Sequence, residues 1–153
     1  MNGIQVRDTH PQVLLVEDDL GDARLTQEAF RGINPTVQLH IASDGVEAMA
    51  YLQRQGARGN VLRPDLILLD LNLPKMNGRQ VLAWIKEDAG LKTIPTIILA
   101  ASEAEADIDK SYSLQANCYL CKPVQLEAFE SLVKSINDFW LSNAKLPKQG
   151  LVA

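Results

Sequence analysis

The chain has 153 residues, a formal net charge of −4, 46% hydrophobic residues and 22% charged residues. That length fits one domain of ordinary size with a proper core. The mild acidity and lack of a basic block argue against a dedicated nucleic-acid-binding domain. The polar start lacks a signal-like apolar stretch, and no apolar run approaches the roughly 20 residues a membrane span needs. Two cysteines suggest a reducing compartment, so the cytoplasm is the expected location.

Residues 1–11 are polar, end at Pro11 and read as a flexible arm. Val13-Leu14-Leu15-Val16 is an apolar strand that stops at three adjacent acids, Glu17, Asp18 and Asp19. Adjacent carboxylates repel one another, which costs stability unless a cation or solvent offsets it. A helix is predicted from about Gly21 to Gly32, with Ala23, Thr26, Gln27 and Phe30 at helical spacing, ended by Asn34-Pro35. Val37 to Ile41 alternates and is expected near a sheet edge. Ser43-Asp44-Gly45 opens a second helix through Val46, Met49 and Leu52 to about Gln55.

Gly56 to Arg63 is a basic, glycine-containing loop, longer than the usual helix-to-strand connection. Leu66-Ile67-Leu68-Leu69-Asp70, between Pro64 and Pro74, reads as a buried strand closed by a carboxylate. Met76-Asn77-Gly78 is turn-like and Arg79 to Glu87 a helix. Thr96 to Ala100 is a fourth apolar strand, and Ser102 is placed to cap a helix over Glu103 to Leu114 with Glu105 as its capping-box partner. Cys118 to Cys121 is a short fifth strand, closed by Lys122-Pro123. The last helix runs from about Leu126 to Ser142, with Leu126, Phe129, Val133, Ile136 and Trp140 on one inward stripe; the tail from Ala144 reads as loose.

Strand and helix alternate five times, which predicts an α/β fold: a doubly wound, five-stranded parallel sheet with helices on both faces. The flavodoxin-like order 2-1-3-4-5 suits this length. In that order the carboxyl ends of strands one and three are neighbours, so Glu17 and Asp18 meet Asp70. An oxygen-only set of high charge density suits Mg²⁺, which keeps waters and shares its site with phosphate. Lys122 can reach the same cleft. A metal and one ammonium would offset charge on a phosphoryl group, with Asp70 as a candidate oxygen nucleophile. The plainer readings are that Asp70 caps a turn and that Lys122 is a solvated lysine. A cis bond at Lys122-Pro123 could aim the lysine.

Glu17-Asp18, Asp70 and Lys122-Pro123, on five βα units of these lengths, resemble the receiver domain of two-component response regulators over about residues 12–142. The resemblance implies phosphorylation of Asp70 by a histidine kinase. It implies Mg²⁺ held by Asp18, Asp70 and the Asn72 backbone carbonyl, with Glu17 acting through water and Lys122 pairing with the phosphoryl group. Tyr119 matches the family's aromatic switch position. The long loop before Pro64, the phrase Leu68 to Pro74 and the ending Phe139-Trp140-Leu141 are similar to stand-alone receivers that partner bacterial phytochromes, particularly in cyanobacteria. In those relatives the C-terminal helix region makes a homodimer, which would put Phe139 and Trp140 at the interface. One position departs: the family's threonine or serine at the end of strand four is Ala100 here, and a charge-assisted hydrogen bond is worth roughly 1.5–3 kcal/mol. Ser102 could substitute only through a rearranged loop or a water.

The expected organisation is an arm (1–11), a receiver domain (12–143) and a tail (144–153), with no output domain. The expected function is a single-domain response regulator, not an enzyme beyond its own phosphorylation and dephosphorylation at Asp70. It would signal to an unidentified downstream protein through helix four, strand five and helix five. The alternative is a receiver-fold binding module whose switch is degenerate at Ala100. A phosphohydrolase would need an acid where Asn72 stands. Cys118-x-x-Cys121 lies on a strand, where positions three apart face opposite ways, which disfavours a redox pair. No nucleic acid or membrane partner is expected.

Overall fold

A computed structural model of the chain describes residues 10–54 and 62–147. In chain order these form β1 (Gln12–Val16), α1 (Leu20–Ile33), β2 (Gln38–Ala42), α2 (Gly45–Arg54), β3 (Leu66–Asp70), α3 (Gly78–Glu87), β4 (Thr96–Ala100), α4 (Glu105–Ser113), β5 (Cys118–Cys121) and α5 (Leu126–Asp138). A π-helical turn, Phe139–Asn143, follows α5. The strands pair in parallel in the order β2-β1-β3-β4-β5, as expected from the alternation.

Position in the sheet explains the strand sequences. β1, β3 and β4 are buried at every residue, which requires unbroken apolar runs. Their alternate residues feed two cores. Leu14, Val16, Ile67, Leu69 and Ile98 pack with α2 and α3 residues such as Leu52, Val81, Leu82 and Ile85. Val13, Leu15, Leu66, Leu68, Ile97 and Leu99 pack with Phe30 of α1 and Phe129, Val133 and Ile136 of α5. β2 and β5 are the edges and carry mostly half-buried residues. Lys86 ties the end of α3 to the start of β4: its ammonium donates to the carbonyls of Lys92 (2.9 Å) and Ile94 (3.0 Å) and to Asn117 Oδ1 (2.9 Å).

Several sequence-based expectations are corrected. Ser102 does not cap α4. The helix starts at Glu105 with Ala104 as its cap and no side-chain cap bond. The Ser102 hydroxyl instead donates to Asp107 Oδ2 (2.6 Å) and accepts from the Ala104 amide (3.1 Å), because Asp107 presents a charged acceptor one turn inside the helix. The last helix is not α-helical to Ser142: after Asp138 the ladder widens, and the Ala144 amide donates to the Phe139 carbonyl at 2.7 Å. Leu126 leaves the inward stripe and is 54% exposed, because the first turn of α5 stands beside Lys122 rather than over the sheet. The Gly56–Arg63 loop lies largely outside the described residues. Its end, Arg63, donates to the Gly90 carbonyl and Thr93 Oγ1.

Candidate functional site

The carboxyl ends of the central strands meet at one edge of the sheet. Val16 pairs with Leu69, so Glu17 and Asp18 leave β1 beside Asp70, the last residue of β3. Ala100 pairs with Cys121, and the Lys122 amide donates to the Ala100 carbonyl at 2.8 Å, which aims Lys122 back over β4. Its Nζ donates to Glu17 Oε1 (2.6 Å), Asp22 Oδ2 (3.0 Å) and Asp70 Oδ2 (3.2 Å). The Lys122–Pro123 bond is trans.

The backbone around Asp70 is held from below. A Cβ at Gly78 would come within 2.2 Å of the Asp70 carbonyl oxygen, so only glycine lets α3 begin there. The Gly78 amide donates to the Leu71 carbonyl (2.9 Å), and Asn77 caps α3 in a capping box with Gln80. Lys75, after Pro74, has φ of 66° and an ion pair to Asp44 at 3.3 Å. The Asn72 amide donates to Asp70 Oδ1 at 3.1 Å, orienting the carboxylate.

Glu17 and Asp70 are buried, while Asp18 is exposed at the mouth. Glu17, Asp18 and Asp70 offer ligand oxygens that all lie within 4.8 Å of one another. Burial, and then the neighbouring Asp70 carboxylate, push Glu17 up to about 7 although Lys122 pulls it down. Burial alone would lower the Lys122 ammonium; Glu17 and Asp70 outweigh it and hold it above its ordinary value. The lysine therefore stands as the compensating cation of a carboxylate cluster. An all-oxygen donor set under that electrostatic load fits a hard divalent cation.

The remaining sequence-predicted residues lie around this centre. Ala100 is fully buried at the end of β4 and offers no hydroxyl. Ser102 does not replace it, since its hydroxyl is engaged by Asp107 and the Ala104 amide. Asp107 is also paired with Arg79. The half-buried Tyr119 donates from its hydroxyl to the Ser102 carbonyl at 2.9 Å, on the same loop. Phe139 and Trp140 stand far from this centre. Trp140 borders a cleft with Pro11 and Asp65, beside the amino ends of β1 and β3. Phe139 is 55% exposed and packs edge-on against Trp140, with centroids 5.2 Å apart. Cys118 and Cys121 are free thiols on β5.

Asp22 escaped the sequence reading. It lies in the first turn of α1, directly after the acidic run Glu17 to Asp19 that ends β1, and a further acid placed so soon after that run is the signal that could have found it.

The family model of the response regulator receiver domain matches residues 13–134. The chain belongs to that family. It is 48% identical over 135 residues to the response regulator Rcp1 of Synechocystis, covering 88% of this chain and 92% of that protein. The structure of the phosphorylated cyanobacterial phytochrome response regulator RcpA matches with a TM-score of 0.86 and 49% identity, over 92% of this chain and all (100%) of that one. The Mn²⁺-bound form of Rcp1 matches with a TM-score of 0.83 and 47% identity, over 90% and 99% of the two chains. Receiver domains bind Mg²⁺ or Mn²⁺ at an acidic pocket of the kind formed by Glu17, Asp18 and Asp70. They are signalling proteins rather than classical enzymes.

Proposed function

We propose that this receiver takes a phosphoryl group onto Asp70 from a histidine kinase, a phytochrome by likeness to its relatives, and signals through protein contacts. The observation that carries the reading is the pairing of Lys122 with Asp70 at 3.2 Å inside a pocket that also gathers Glu17 and Asp18. An Asp70 carboxylate oxygen attacks phosphorus. The bond from phosphorus to the kinase imidazole nitrogen breaks, and that nitrogen keeps the electron pair. Lys122 then turns its N–H groups to the new phosphoryl oxygens, and the Asn72 amide holds the oxygen that does not react. Glu17 through water, Asp18, Asp70 and the Asn72 carbonyl would hold Mg²⁺, which supplies positive charge against the phosphoryl oxygens when bound. Hydrolysis by water returns the Asp70 carboxylate and inorganic phosphate, the only turnover assigned to this chain.

A cleft of about 370 Å³ beside Lys122 is the natural approach for a kinase. Leu25, Val124 and Leu126 line it, and Leu20 stands exposed on the same helix as Leu25. Output is assigned to α4, β5 and α5, where Tyr119 touches the β4–α4 loop. Homodimerisation is assigned to the C-terminal helical region, supported by the exposure of Phe139 at a helix end. The arm, receiver and tail of residues 1–11, 12–143 and 144–153, and a cytoplasmic site of action, complete the proposal. No described helix is long and apolar enough to cross a membrane.

The test is intact mass after incubation with acetyl phosphate and Mg²⁺. The wild type should gain one phosphate and Asp70→Asn none. Equal labelling of both would remove Asp70 from the role of acceptor.

A further inference from the structure

We propose that Asp22 is a positioning residue: it keeps the Lys122 ammonium in the site when a divalent cation claims Glu17 and Asp70, and so raises the affinity of the pocket for that cation. The inference rests on the reading of Asp70 and Lys122 given above.

An ammonium has three N–H donors and no acceptor. Lys122 spends its contacts on three carboxylates, Glu17, Asp22 and Asp70. Glu17 and Asp70 belong to the group whose ligand oxygens converge within 4.8 Å; Asp22 does not. A cation entering that group competes with Lys122 for lone pairs on two of its three partners. The lysine side chain is 11% exposed, so it cannot simply retreat into water. Asp22 is then the one anion left to it. At 3.0 Å that contact is already made, so no rearrangement is needed to use it.

Asp22 is held for this task. It lies in the first turn of α1, and its amide is bound by the capping carboxylate of Asp19 at 2.9 Å. Its carbonyl accepts from the hydroxyl of Thr26 at 2.8 Å, and Thr26 is buried. The carboxylate itself is 33% exposed, against 3% for Glu17 and 9% for Asp70, so it reaches Lys122 from the solvent side of the pocket. An asparagine would retain the shape and one acceptor oxygen but lose the charge that makes the bond strong. Lys122 would then hold harder to Glu17 and Asp70 and oppose the cation.

The experiment measures Mn²⁺ binding by the loss of the free-ion electron paramagnetic resonance signal. It uses the full chain as wild type, Asp22→Asn, Lys122→Met and the double variant. Asp22→Asn should weaken Mn²⁺ binding about tenfold in the wild-type background, and less than about twofold where Lys122 is already methionine. Equal weakening in both backgrounds means that Asp22 acts as a distant charge on the ion, and overturns the proposal. So does an Asp22→Asn affinity equal to wild type. If Lys122→Met does not fold, salt decides: an effect passed through a 3.0 Å contact persists from about 0.05 to 0.5 M salt, whereas a distant charge effect is screened away and refutes the inference. Acetyl phosphate labelling separates the two readings. A wild type that labels at Asp70 while Asp22→Asn binds Mn²⁺ normally sinks only the role of Asp22. A wild type that neither binds Mn²⁺ nor labels sinks both.

Discussion

Replacing Lys122 by methionine keeps an unbranched apolar stem, one atom shorter, and removes the charge. The ammonium stands 2.6, 3.0 and 3.2 Å from three carboxylates. At an effective dielectric of about 20, unit charges about 3 Å apart attract by roughly 5 kcal/mol, and desolvation of the lysine offsets part of each contact. Removing one partner of a buried pair costs about 3–5 kcal/mol, and Glu17 and Asp70 are buried enough for that range to apply. Metal-free Lys122→Met should therefore lose about 3–5 kcal/mol in urea unfolding. In saturating Mg²⁺ the carboxylates regain a counter-cation, and the loss should shrink to about 2 kcal/mol or less. By linkage, a difference of about 2 kcal/mol means Mg²⁺ binds the variant roughly 30-fold more tightly than the wild type. Two results would refute the reasoning: a metal-free loss below about 1 kcal/mol, or a loss that Mg²⁺ leaves unchanged. Either would mean that the lysine is not the cation balancing this pocket.

Three further outcomes follow from particular residues. Ala100→Thr should restore a hydroxyl to the end of β4 and favour the active conformer of the phosphorylated protein by roughly 10- to 100-fold, at a cost of about 1–3 kcal/mol for extra atoms in a fully buried position. Hydrogen exchange across Ser102 to Asp107, with and without acetyl phosphate, reads that change, and an unaltered phosphorylation difference counts against it. Gln115→Gly should raise stability by about 0.5–1 kcal/mol in thermal or urea unfolding. Gln115 has φ of 78° at the end of α4, where the Ala116 amide reaches the Ser111 carbonyl and the Gln115 amide the Tyr112 carbonyl, a Schellman closure that favours glycine. Burial holds the His40 imidazole below its usual 6.5. The unfolded chain thus takes its proton first, and the His40 contribution to stability falls as pH drops through 6.5, opposite in sign to that of Glu17, whose raised value makes the folded state take a proton first. Relative to wild type, the stability of His40→Gln should rise as pH drops over that window; an identical slope would remove His40 from the account.

Much of this molecule was legible in the order of its residues. Unbroken apolar runs such as Leu66 to Leu69 can sit only in a sheet covered on both faces. Three such runs and two less buried strand segments, with helices between them, admit few topologies, and the observed order was among them. Asp70, Glu17, Asp18 and Lys122 could be brought together on paper because each ends a strand, and parallel strands bring their ends to one edge. Local pattern did less well where a side chain chooses between partners. Ser102 has the residue type and spacing of a cap, yet Asp107, itself paired with Arg79 of α3, draws its hydroxyl away. Leu126 has the spacing of a core residue, yet the first turn of α5 projects past the sheet into the cleft by Lys122.

The chain by itself determined the strand and helix alternation, the parallel sheet and the acidic and basic groups at its carboxyl edge. These depend on residue type and period, which are local properties. Only the tertiary structure decided which anions Lys122 serves. Asp22 and Lys122 are 100 residues apart in sequence, and no periodic pattern links them. Their contact exists because α1 and the end of β5 converge over Asp70 once the sheet has closed its order, and the energy of that contact depends on burial that no single segment possesses alone.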